Sequence, residues 1–271
     1  MDAFEPLRDL SFKCTVVVVN PVDAVATYDD PTLVYEWASV AKLITTYAAL
    51  IAVDRGMAAL GEPAGPDGST LRHLLAHASG LPFTGRTTQG VVGARRVYSN
   101  SGIEMAAEHV ESRVGMPFAQ WVKATVLGPL GMDTAEFYGS PSKGMRGSAV
   151  DLAEFARAVL NGALVKPATY TEATTPVIPY LSGVLPGYGR QDPNLWGLGF
   201  EIRGHKEPHW TGHNNSPRTF GHFGWEGSFM WVDPAVHLAA VFLGEEPFGP
   251  THQAIWPDLS DRILAVHSAM T

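Results

Sequence analysis

Cysteine is almost missing: the 271 residues hold one, Cys14. That excludes an internal disulfide framework and leaves no set of thiolates for a zinc site. Charge is sparse as well, at 17% of residues, and the 27 acids outnumber the 19 bases for a net charge of −8. With no Lys/Arg run, nucleic-acid binding has no electrostatic footprint. Long apolar runs are absent. The densest, Leu43 to Val53, contains Thr45 and Thr46 and falls short of the roughly 18 residues a membrane span needs, so it reads as a buried helix. The start, Met1-Asp2-Ala3-Phe4-Glu5, is acidic early and has no apolar stretch directly behind it, unlike a secretory leader. The expectation is a cytoplasmic protein with neither membrane nor nucleic-acid partners. What is plentiful is apolar material, 45% of residues with 10% aromatic, and turn formers, 28 glycines and 20 prolines. Disorder is excluded, and the length suits one large domain or two interleaved ones.

Along the chain, the β-branched run Thr15–Val19 stops at Asn20-Pro21, and Val22 to Tyr28 supplies the partner of a hairpin. From Ser39 the apolar residues Val40, Leu43, Ile44, Tyr47, Leu50 and Ile51 recur at helical spacing, and Gly56 ends them. A second helix begins near Ser69 and stops at Ser79-Gly80-Leu81-Pro82. Capping boxes are expected at Ser101–Glu104 and Ser148–Asp151, the latter opening a helix to about Leu160. Residues 174–194, rich in Pro and Gly, read as an ordered loop or linker. Trp196–Ile202, Ser228–Val232 and His237–Leu243 read as successive antiparallel strands, with Asp233-Pro234 turning between the last two. Strands, helices, then strands imply one sheet built from both ends of the chain.

Three short patterns carry chemistry. In Ser39-Val-Ala-Lys42 a hydroxyl and an amine lie almost one helical turn apart, on one face. Serine attacks only if a neighbour takes its proton, and burial among the apolar residues that follow would lower the lysine pKa enough for that role. A first-turn position would also aim backbone N–H groups at developing negative charge. In Tyr98-Ser-Asn100 the phenol can act as a phenolate base or relay a proton to a leaving group, and the amide of Asn100 can donate and accept. In Phe220-Gly-His222-Phe-Gly224-Trp225 glycines on a strand mark a close approach, beside which His222 would project. Taken singly, each pattern also fits a plain structural role: a helix cap, a packed aromatic, a glycine bulge.

Together, Ser-x-x-Lys, Tyr-x-Asn and His-x-Gly, in this order, resemble the class C β-lactamase-like serine hydrolases, a family that includes D,D-carboxypeptidases, D-amino-acid peptidases and esterases. Glu36-Trp-Ala-Ser-Val-Ala-Lys42, Leu71-Arg-His-Leu-Leu-Ala-His-Ala-Ser-Gly-Leu-Pro82, Pro129-Leu-Gly-Met-Asp-Thr134 and Trp196-Gly-Leu-Gly-Phe200 are similar to family segments over about residues 15–245. The resemblance implies an α+β, β-lactamase/transpeptidase-like fold: an antiparallel sheet flanked by helices, residues 1–62 and 190–271, around a mainly helical region, 63–189, with the site in the cleft between them. It implies that Ser39 is acylated and that Lys42 and Tyr98 share the acid–base work. The amides of Ser39 and Trp225 would hold the oxyanion. Asn100, His222 and Gly224 would bind substrate, and no metal or cofactor is expected.

The late motif departs from the family: it reads His-Phe-Gly where Lys-Thr-Gly is common. A histidine is mostly neutral at pH 7, so a site for a substrate carboxylate is weakened. The stretch 83–97 is also shorter than in many relatives. The expected substrate is a small ester or amide. A D-amino-acid peptidase or weak β-lactamase is the alternative, and a non-catalytic binding protein on the same fold is the rival from another class. The sequence leaves the oligomeric state open. His73 and His77 lack the glutamate of a zinc-protease helix and read as packing or capping residues. His205, His209 and His213, interrupted by Pro208, read as a loop of solvated histidines.

Overall fold

The computed structural model describes residues 2–268. Among these, the main sheet has six strands in the order β2-β1-β11-β10-β9-β8, all antiparallel. They are β1 (Cys14–Val19), β2 (Ala24–Tyr28), β8 (Glu201–Ile202), β9 (Phe220–Gly224), β10 (Ser228–Asp233) and β11 (Leu238–Gly244). β1 pairs with β11, so the two ends of the chain do meet in one sheet. The helices are α1 (Ala41–Asp54), α2 (Leu71–Leu75), α3 (Asn100–Val114), α4 (Phe118–Val122), α5 (Ala149–Leu160), α6 (Pro167–Thr174) and α7 (Pro250–His267). Small sheets are formed by β3 (Val34–Glu36), β4 (Glu136–Phe137) and β5 (Met145–Ser148), and by the hairpin β6 (Gly183–Leu185) and β7 (Gly189–Gln191). The fold is α+β, an antiparallel sheet flanked by helices. No helix among the described residues is long and apolar enough to cross a membrane.

The valine run makes sense at period two. Val17 and Val19 enter one apolar cluster with α1 and α5, while Val16 and Val18 enter another with Trp256, Leu259 and Ile263 of α7. A strand covered on both faces needs apolar residues at every position. α1 is buried from Ala41 to Ala52, which accounts for its lack of a polar stripe. α5 lies inside the 63–189 stretch, yet Leu152, Phe155 and Val159 share the cluster of Val17, Met230 and Val241.

Several local expectations are corrected. Ser39 is not in the first turn of α1 but in a 3-10 turn, Ala38–Val40, just before it. The cap of α3 is Ser99, whose Oγ accepts from the Gly102 amide at 2.9 Å; Ser101 instead accepts from the Gly85 amide. Ser148 does cap α5, accepting from Asp151 N, but the Asp151 carboxylate turns to Thr134. The 174–194 stretch contains the β6–β7 hairpin. Of Trp196–Ile202 only Glu201–Ile202 is strand, because Gly199 takes φ +74°, a left-handed bend that breaks extended pairing.

Candidate active site

The turn before α1 is held from both sides. The Trp37 amide donates to the Met145 carbonyl at 2.8 Å, and the Trp37 carbonyl accepts from the Ser228 hydroxyl of β10 at 2.8 Å. Ala38, next to Ser39, sits at φ +44°, a costly region for a residue with a Cβ and one that strained functional sites often use. These contacts bring Ser39 to the end of β9.

Ser39 Oγ lies 3.0 Å from Lys42 Nζ and accepts from the Tyr98 hydroxyl at 2.8 Å. Lys42 is wholly buried and donates to the Ser142 carbonyl at 2.8 Å. Desolvation drives its pKa far below the ordinary lysine range; the Glu104 carboxylate opposes that drop, and Lys143 adds to it. An uncharged amine has a lone pair for the Ser39 O–H. Burial has the opposite consequence for Tyr98, whose pKa rises, against a smaller lowering by the bond to Ser39. The protonated phenol donates to Ser39 Oγ, an arrangement that suits the proton relay of the two roles the sequence allowed.

His222 stands on the other side of Tyr98, with ring centroids 5.4 Å apart. Its Nδ1 lies 2.6 Å from the Phe223 carbonyl, which places the ring proton on Nδ1. Burial, with Lys42 adding to it, pushes its pKa down to about 3, so the ring stays neutral. At Gly224 a Cβ would fall 2.4 Å from Ser228 Oγ and 2.5 Å from the Trp37 carbonyl oxygen, so the turn carrying Ser39 makes the close approach there.

Ser39 opens onto two recesses. One, of about 480 Å³, includes Tyr98, His222 and Trp225 in its wall; the other, of about 1400 Å³, includes Asn100, Lys143, Trp225 and two carboxylates, Glu36 and Glu226. Ser39, Lys42, Tyr98, Asn100, His222 and Trp225 thus converge, and Gly224 packs against the turn that carries Ser39.

His77, expected as a packing or capping residue, does pack: at φ +55° it accepts the Ser99 amide on Nδ1 and lies against Tyr98 and Trp196 at 5.0 and 4.6 Å between centroids. Sequence reasoning missed one group. Glu201 lines the smaller recess and is fully paired: Lys206 and His209 contact its carboxylate and the Trp210 indole donates to it at 2.9 Å. His209 is therefore buried and not solvated, whereas His205 and His213 are exposed. Among the described residues, no group of three or more His, Cys, Asp or Glu could hold a metal ion.

A family model described as Beta-lactamase matches residues 22–260. The crystal structure of a beta-lactamase from Mycobacterium bovis is 44% identical, with TM-score 0.97 over 98% of this chain and 100% of that one. Unliganded simvastatin synthase from Aspergillus terreus shares the fold at 15% identity, with TM-score 0.78 over 98% of this chain and 96% of that one. A Salmonella gallinarum protein provisionally named D-alanyl-D-alanine carboxypeptidase is 38% identical over 66 residues, covering 23% of this chain and 15% of the relative. The chain thus spans about 15% of the length of the curated relatives it matches.

Proposed function

The chain belongs to the Beta-lactamase family, and from that premise we propose that it is a serine hydrolase that forms an acyl-enzyme at Ser39 and hydrolyses small uncharged esters. One observation carries the reading: Ser39 Oγ is bracketed by a buried, deprotonatable amine at 3.0 Å and a phenol at 2.8 Å. Ser39 Oγ bonds to the substrate carbonyl carbon while its proton passes to the neutral Lys42 amine. The resulting oxyanion is held by the backbone amides of Ser39 and Trp225. The bond from that carbon to the leaving oxygen then breaks, Tyr98 protonates the departing alcohol, and the Lys42 ammonium restores the phenol. Water attacks the acyl-enzyme with the same groups, releasing the acid and returning the proton to Ser39. Asn100 and His222 line the substrate's path, and the neutral ring of His222 supplies no cation for a carboxylate.

The test is a fluorophosphonate probe mapped by mass spectrometry, together with turnover of short p-nitrophenyl esters. Labelling at Ser39 is expected, with turnover reduced about 10⁴-fold or more in a folded Ser39→Ala variant; no labelling and no turnover would sink the reading. The identity to a protein described as a beta-lactamase favours a second reading, β-lactam hydrolysis. Cephalosporin turnover matching that of the esters on one preparation would promote it.

A further inference from the structure

The two recesses beside Ser39 differ in chemistry, and Tyr98 distinguishes them. Tyr98 lines the smaller recess and not the larger, whereas Asn100 lines the larger and not the smaller. A general acid must lie within hydrogen-bond reach of the atom it protonates. The leaving oxygen, and whatever it carries, therefore points into the smaller recess, while the acyl group lies toward Asn100.

The wall of that smaller recess is apolar and aromatic: Phe83, Leu185, Trp196, Phe223 and Trp225 contribute to it. Among the described residues that line it there is no lysine or arginine. Its one carboxylate, Glu201, is already occupied by Lys206, His209 and Trp210. Phe83 and Trp225, 56% and 66% exposed, border both recesses. The larger recess shares Phe83, Pro186 and Trp225 with the smaller one but adds the charged groups Glu36, Lys143 and Glu226, whereas Leu185, Trp196 and Phe223 border the smaller recess alone.

We infer that the enzyme selects its substrate on the alcohol side: the leaving group is an uncharged, apolar alcohol, alkyl or aryl, seated between Phe83, Leu185, Trp196 and Trp225. The inference rests on the acyl-enzyme reading above and adds which half of the ester is read. An alcohol bearing a carboxylate would meet Glu201 and no counter-cation, and would be refused. The larger recess, with Glu36, Lys143 and Glu226 in its wall, rewards apolar size in the acyl group less.

The experiment compares three sets of substrates by acid release. Methyl, butyl and 2-phenylethyl acetates vary the alcohol at nearly constant leaving-group acidity. Methyl acetate, butanoate and 3-phenylpropanoate vary the acyl side in parallel. 4-Acetoxybutanoate adds a carboxylate to the butyl case. In the alcohol series kcat/KM is expected to rise about 4-fold per added methylene, with a much shallower rise in the acyl series and at least a tenfold loss for 4-acetoxybutanoate. Leu185→Ala, at a residue that borders the smaller recess and not the larger, should flatten the alcohol slope whatever its intercept and leave the acyl slope as it was. A flat alcohol series, a steeper acyl series, or 4-acetoxybutanoate turned over as fast as butyl acetate would overturn the inference alone, because Ser39-dependent turnover would still stand. Absence of any Ser39-dependent turnover would overturn both.

Discussion

At the scale of single residues, the chemistry depends on how the charge of Lys42 is suppressed. Glu104 is the one nearby group that favours the ammonium. It reaches Lys42 through Ser142, whose hydroxyl donates to Glu104 at 2.9 Å and whose carbonyl accepts from Lys42 at 2.8 Å. Glu104→Gln keeps an acceptor for the serines and removes the anion. The ammonium then loses its support, the Lys42 pKa falls further, and the amine is free at lower pH. The acid limb of the kcat/KM profile should move to lower pH, raising the rate there severalfold; a shift to higher pH would contradict Lys42 as the base. Tyr98, held protonated by its burial, should not limit the rate on the alkaline side below the ordinary tyrosine range. The pairing of Ser39 with Lys42 was legible because three residues of local backbone decide it. The neutral state of His222 was only half legible: the residue type gave a mixed charge at pH 7, and the packing of Tyr98 and Trp196 around it at 5.4 Å from each made it fully neutral.

At the scale of elements, strands and long helices followed from period, whereas the irregular stretch from α6 to β9 did not. Its conformation is set by buried side chains that reach backbone groups at irregular spacing, Arg96 from outside the stretch and Lys206 from within it. Arg96 donates to the carbonyls of Ala76, Val177, Ile178 and Asn194. Lys206 joins the carbonyls of Leu195 and Ile202 to the Glu201 carboxylate. No periodicity encodes such contacts, so the spacing of His205, His209 and His213 suggested solvent where His209 in fact closes on Glu201. The Glu201–Lys206 pair, only 1–2% exposed on either side chain, makes a definite demand. Breaking a buried pair leaves one charge without compensation and costs about 3–5 kcal/mol, while removing both charges costs far less. Lys206→Met should lose stability on that scale in urea denaturation, and Glu201→Gln/Lys206→Met should recover most of it. Equal losses in the single and double variants would mean that the pair is not what orders the segment beside the smaller recess.

At the scale of the whole molecule, the same burial that surrounds Ser39 sets the response of the fold to acid. His77, His222 and His252 all have their pKa lowered by desolvation, His222 to about 3 and His252 to about 4. The folded protein therefore stays neutral at these rings where the unfolded chain, with an ordinary histidine pKa near 6.5, takes up protons. The unfolded state binds more protons, so stability rises with pH in this window. It is present above about pH 6.5 and lost progressively as the pH falls toward the folded values. Lys42 acts in the same direction at higher pH, since its folded pKa is also depressed. His252 offers the cleanest test because it lines neither recess beside Ser39; it stands in the first turn of α7, packed on Phe12, Phe242 and Trp256, with Nε2 making no hydrogen bond. His252→Phe removes that proton uptake from the unfolded chain. The wild-type Tm should fall between pH 6.5 and 4, and the variant should fall less, by a difference on the order of 2 kcal/mol or a few degrees. Identical slopes in thermal melts of the two proteins would assign the acid sensitivity to carboxylates instead. Activity measured well below Tm then separates the two effects of pH: loss of the Lys42 base would lower the rate with the fold intact, and histidine protonation would lower the amount of folded enzyme without moving the acid limb of kcat/KM for the molecules that remain.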